Sequence, residues 1–173
     1  MQSTGEAACF GDSFYDALSK GLTSVGYNLP KSGSALVTIG GVKNREKLLQ
    51  TSALLQKLGF KILATETTAE FLNEKLGNVE VVHKISEPDR KPNISDLLHQ
   101  KKIDFIINIP STSTIEKYVG MLYDEYQIRR KSLELGIPVL TTIELAESFV
   151  KTLEWLQNNT PTKKALEPYE DYN

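Results

Sequence analysis

Five short apolar runs separated by amphipathic segments leave this 173-residue chain few ways to fold. The runs are Ala35–Ile39, Ile62–Ala64, Val79–Ile85, Phe105–Ile109 and Pro138–Leu140. Between them apolar residues recur at helical spacing, as in Leu48, Leu49, Ala53, Leu54 and Leu55. Strands that read as near-continuous apolar runs are covered on both faces, and strands alternating with helices pair in parallel. The pattern predicts an α/β fold, a doubly wound five-stranded parallel sheet, with strands at about 35–40, 61–65, 79–84, 104–109 and 138–141.

Glycines and prolines punctuate this pattern. Asp12 and Ser13 stand ready to cap a helix whose apolar face is Phe14, Leu18 and Leu22, and Gly26 is placed to stop it. Residues 1–30 then form an N-terminal segment with its own helix, 31–159 the main domain, and 160–173, with Pro161 and Pro168, a flexible tail. Further helices are expected from about Asn44 to Leu58, after Thr68, over Ile94–Gln100, around Tyr126–Leu135 and over Glu144–Gln157.

Composition narrows the function classes. A net charge of −2 provides no sequence-wide basic field for nucleic acid. No apolar run approaches the length of a membrane span, and no signal peptide follows Met1. Cys9 is the single cysteine, which fits a reducing, cytoplasmic compartment, and with only His83 and His99 a Cys/His metal cluster cannot be assembled.

In a parallel α/β sheet ligands sit outside the carboxyl ends of the strands. That rule selects Gly40–Lys43, Thr65–Thr68, Lys84 and its loop, Asn108–Thr114, and Thr141 with Thr142. The second of these is the most informative. Thr65 and Thr68 sit three residues apart where a strand runs straight into a helix, and free N–H groups at a helix start favour an anion. Two hydroxyls can add hydrogen bonds to a phosphate or carboxylate; alternatively one threonine simply caps the helix. Lys43 and Lys84, each at a strand end, can supply charge to such a cradle. No Gly-x-Gly-x-x-Gly follows any strand, which disfavours a dinucleotide cofactor.

Lys43-Asn44, Ala64-Thr65-Glu66-Thr67-Thr68, Ile106-Ile107-Asn108-Ile109-Pro110 and Ile128-Arg129-Arg130, in that order and spacing, resemble the methylglyoxal-synthase-like domain. The form most similar is the C-terminal regulatory domain of the large chain of carbamoyl-phosphate synthetase, and residues 1–6 look like the end of its upstream synthetase half. The resemblance implies allosteric control of carbamoyl phosphate formation for pyrimidine and arginine biosynthesis, through an effector such as UMP or IMP. It places the effector phosphate on Lys43, Thr65, Thr68 and Lys84. It places the rest of the effector near Asn108 and Ser111, with Asp124 and Ile128 as the pocket wall. No cofactor is implied in this domain; ATP and Mg belong to the synthetase halves. Implied partners are the small-molecule effector, the remainder of the large chain and the glutaminase chain, with no nucleic acid or membrane. A urea-cycle form would be mitochondrial, but that pattern has Trp at Lys84 and Asn at Glu125.

Two rivals share the fold. Methylglyoxal synthase needs a carboxylate base beside the bound phosphate, supplied in that family from a Gly-Gly-Asp loop. Here the loop is Ser86–Pro92, without glycine; Asp89 could stand in by proximity, but prolines on both sides disfavour the geometry. The other rival is a non-catalytic anion-binding module of a different pathway.

Overall fold

A computed structural model describes residues 7–40, 44–110 and 118–163, with backbone alone for 118–122. Its elements run α1 (Phe14–Ser24), β1 (Gly33–Ile39), α2 (Arg45–Lys57), β2 (Phe60–Thr65), α3 (Glu66–Asn73), β3 (Val79–Val82), α4 (Ile94–His99), β4 (Phe105–Ile109), α5 (Tyr118–Glu134), β5 (Val139–Leu140) and α6 (Ile143–Asn158).

The five strands form one all-parallel sheet in the order β3-β2-β1-β4-β5. The chain therefore moves outward from β1 to β3, crosses back, and continues outward on the other side through β4 and β5. Right-handed crossovers require the helices of the two halves to lie on opposite faces, and the side chains comply. Ala35, Val37, Ile62, Ala64, Phe105 and Ile107 pack with residues of α1, α2, α3 and α6. Leu36, Leu63, Val82 and Ile106 pack with α4 and α5. The doubly wound expectation from the apolar runs is met.

The first layer is centred on Phe105, fully buried, whose ring meets Phe60 edge-on at 5.6 Å and Phe149 at 5.0 Å between centroids. Fully burying one such side chain contributes roughly 1.5–3 kcal/mol. At the sheet entrance Asp104 accepts the Ser34 N–H at 2.7 Å, and Gly33 sits with φ 151° against that carboxylate.

The terminal segments differ in detail from the sequence reading. Ser13 caps α1 as expected, its hydroxyl accepting the Asp16 N–H. Leu22 is buried and Leu18 packs beside the core, but Phe14 is left largely exposed, off the packed face. Asp16 is the polar anchor: it accepts the Thr162 hydroxyl at 2.5 Å and backbone N–H at 3.1 Å, and pairs with Lys20 at 3.1 Å. Thr162, near the start of the segment read as a tail, is thereby joined to α1. Residues 164–173 and 1–6 lie outside the described residues. Among the described residues no helix is long and apolar enough to cross a membrane.

Candidate functional site

Strand register brings the carboxyl ends of four strands to one edge. Thr65 pairs with Val82 across β2 and β3, Thr38 with Asn108 and Ile39 with Ile109 across β1 and β4. The Gly40 N–H donates to the Ile109 carbonyl at 2.8 Å and extends that ladder past the strand. The order of strands reverses between β1 and β4, the place where such folds open a crevice.

On the β2–β3 side, Thr65 is the N-cap of α3 with extended backbone, yet its side chain makes no capping hydrogen bond. The simple capping explanation for this threonine therefore fails, and α3 begins with N–H groups that no side chain of its own satisfies. Thr68, buried, accepts the Ile39 N–H at 3.4 Å and ties the first turn of α3 to the end of β1. Lys84 follows β3, is exposed, and has no ion pair among the described residues. These three groups share one end of the sheet.

The β4–α5 side is differently built. Asn108 is buried; its amide donates to Thr38 Oγ1 at 3.0 Å, and its carbonyl accepts Arg129 Nε and Nη2 at 3.3 and 3.1 Å. Asn108 is thereby tied to both β1 and α5. Asp124, also buried, accepts the Ser86 N–H at 2.9 Å and hydroxyl at 2.8 Å, which pins the loop after β3 to α5. Ile128 belongs to the packed layer with Leu36, Leu63 and Ile106. All three are buried and join the sheet and the loop after β3 to α5. Lys43 and Ser111 lie outside the described residues.

Sequence reasoning passed over a charged cluster at the same edge. Glu66, the first residue of α3, is ion-paired with Arg90, and His83 Nδ1 lies 3.7 Å from the same carboxylate oxygen. Arg90 also donates to Glu87 Oε1 at 3.2 Å, and Glu87 Oε2 accepts the Lys84 N–H at 3.2 Å. That N–H first, and the Arg90 guanidinium after it, hold the Glu87 carboxyl below its ordinary range. Arg129 and Arg130 sit well inside α5, Arg129 on Asn108 and Arg130 on Glu134 at 3.0 Å.

A separate groove of about 450 Å³ opens at the opposite, amino edge of the sheet, lined by Ser34, Lys61, Glu80, Leu97, Lys101 and Asp104 among others. Its carboxylates are engaged, Glu80 by Lys61 at 2.7 Å and Asp104 by Ser34.

Residues 47–141 match the family model described as the MGS-like domain. The chain is 33% identical over 158 residues to multifunctional protein URA2 of Saccharomyces cerevisiae, covering 88% of this chain and 7% of that protein. It is 32% identical over 177 residues to the mitochondrial carbamoyl-phosphate synthase (ammonia) of Homo sapiens, covering 100% of this chain and 11% of that protein. To multifunctional protein CAD of Squalus acanthias it is 30% identical over 176 residues, covering 96% of this chain and 8% of that protein. The chain thus spans between 7% and 11% of the length of these relatives. Among solved structures, a methylglyoxal synthase from Elizabethkingia anophelis aligns with a TM-score of 0.45 and 18% identity, covering 84% of this chain and 91% of that one. With the parallel sheet and the relatives' agreement over nearly the whole sequence, the chain belongs to the MGS-like domain family.

Proposed function

We propose that this chain is the effector-binding domain of a carbamoyl-phosphate synthetase large chain, taking a phosphate-bearing effector such as UMP or IMP. The observation that carries the reading is the open anion cradle at the carboxyl edge. The Thr65 hydroxyl makes no capping bond, α3 starts beside it, and Lys84 stands exposed and unpaired among the described residues. An anion placed there meets N–H donors, the positive end of the helix dipole and a full positive charge. The carbamoyl-phosphate synthase among the relatives supports the wider assignment. ATP and Mg act in the synthetase halves, and the partners are the rest of the large chain and the glutaminase chain. In this role the domain binds without reacting. Control follows from the effector preferring one arrangement of this domain against the synthetase half, and it is limited to that difference in affinity.

Calorimetry with UMP, IMP, UTP and phosphoribosyl pyrophosphate tests the reading. A true effector at about 100 times its dissociation constant also raises the folding free energy by ~2.7 kcal/mol. Lys84→Ala removes a charged hydrogen bond, worth about 1.5–3 kcal/mol, and so weakens binding on the order of 10- to 150-fold. Thr68→Ala removes a neutral one worth roughly 0.5–1.5 kcal/mol and has the smaller effect. Incubation with dihydroxyacetone phosphate separates sensor from enzyme. The reading predicts no methylglyoxal, and its steady formation would replace the sensor by a synthase using Asp89, which stands exposed in the loop after β3.

A further inference from the structure

We infer that Arg90 and Glu66 form a charge gate that sets how tightly the cradle holds an anion, with Arg90 screening the ligand from the Glu66 carboxylate. The inference rests on the effector-site reading above and deepens it.

Glu66 occupies the first position of α3, directly after Thr65. A carboxylate there is favourable for the helix, because it meets the same N–H groups and dipole that a phosphate would use. It is therefore a built-in competitor for the ligand. Two anions at one helix start repel each other unless a cation stands between them. Arg90 is that cation. It reaches from the loop after β3 to Glu66, and its other nitrogen holds Glu87 at 3.2 Å. The Glu66 contact lifts the Arg90 guanidinium above its ordinary pKa most strongly, with Glu87 adding to it. Facing this point are Glu66, Glu87, Arg90, Lys84 and His83, whose Nδ1 is buried without a hydrogen bond. With Arg90 in place, Arg90 and Lys84 together balance the two carboxylates. Without it the edge turns negative.

Arg90 does not hold the loop alone. Asp124 clasps Ser86 by two hydrogen bonds, and Asn93 Nδ2 donates to the Lys84 and Glu87 carbonyls at 2.6 and 2.9 Å. An Arg90 variant therefore keeps the loop while losing the charge, which makes the gate testable.

The experiment titrates the parent, Arg90→Ala, Glu66→Gln and the double variant with UMP, IMP, UTP and inorganic phosphate, alongside Lys84→Ala and thermal melts. The gate predicts that Arg90→Ala weakens binding by about tenfold. Glu66→Gln tightens it, and the double variant returns to within about threefold of the parent. Arg90→Lys keeps most of the affinity because it keeps the charge. If Lys84→Ala weakens binding while Arg90→Ala and Glu66→Gln leave it unchanged, the gate is overturned and the effector site stands. Failure of Glu66→Gln to rescue Arg90→Ala likewise overturns the gate, leaving Arg90 a structural residue. If the parent binds none of the four probes, the effector-site reading falls and the gate with it.

Discussion

Thr65 and Asn108 show how two polar residues at neighbouring strand ends acquire opposite roles. Thr65 has a hydroxyl that its own helix leaves unused, whereas Asn108 is buried with its amide bonded to Thr38 and its carbonyl to Arg129. Strand-end position was legible in the sequence for both. The difference was not, because the partner that consumes the Asn108 carbonyl, Arg129, lies 21 residues further on. Asp124 was hidden in the same way, since Ser86 stands 38 residues before it. Replacing Asn108 by Ala strips Arg129 and Thr38 of a buried partner. It should cost about 1–3 kcal/mol of stability, read as a lower urea midpoint with an unchanged slope. Asp16 gives a pH signature. The Thr162 hydroxyl above all, then the Asp12 N–H and Lys20, hold its carboxyl far below the ordinary value of 3.8 against the opposing effect of burial. A depressed folded pKa contributes stability that is fully present above the unfolded value and is lost as pH falls below it. Urea midpoints followed from pH 7 to pH 3 should drop for the parent, and less steeply for Asp16→Asn.

At the scale of elements, the strands were the most legible because parallel strands buried on both faces leave continuous apolar runs. The helix starts were the least. α5 begins at Tyr118, well before the Tyr126 that periodicity suggested, since Gly120 and the tyrosines are weak helix formers and blur the pattern. α3 begins at Glu66, so that the threonines read as a junction are its cap and first turn. Phe105 should be the costliest truncation in the first layer. Phe105→Ala empties the space between Phe60 and Phe149 and should remove about 3–5 kcal/mol. Gly33→Ala tests the sheet entrance, because a Cβ there would lie 2.1 Å from Asp104 Oδ2 and φ is 151°. The Asp104–Ser34 hydrogen bond must give way, and thermal melts should show a loss of roughly 1–3 kcal/mol.

For the whole molecule, the doubly wound sheet separates two edges of different chemistry. The carboxyl edge gathers Thr65, Thr68 and Lys84 next to the Glu66–Arg90 pair, while the amino edge carries the lysine-lined groove. Strand order alone would direct an anion to the first of these, and that is the central claim. The most direct measurement is an amide chemical-shift titration with UMP and IMP on the assigned protein. The account predicts saturable shifts concentrated on Glu66, Thr67, Thr68 and Lys84, which disappear in Lys84→Ala. Shifts confined to Lys61, Lys101 and Lys102, or shifts at the carboxyl edge that survive Lys84→Ala unchanged, would contradict it.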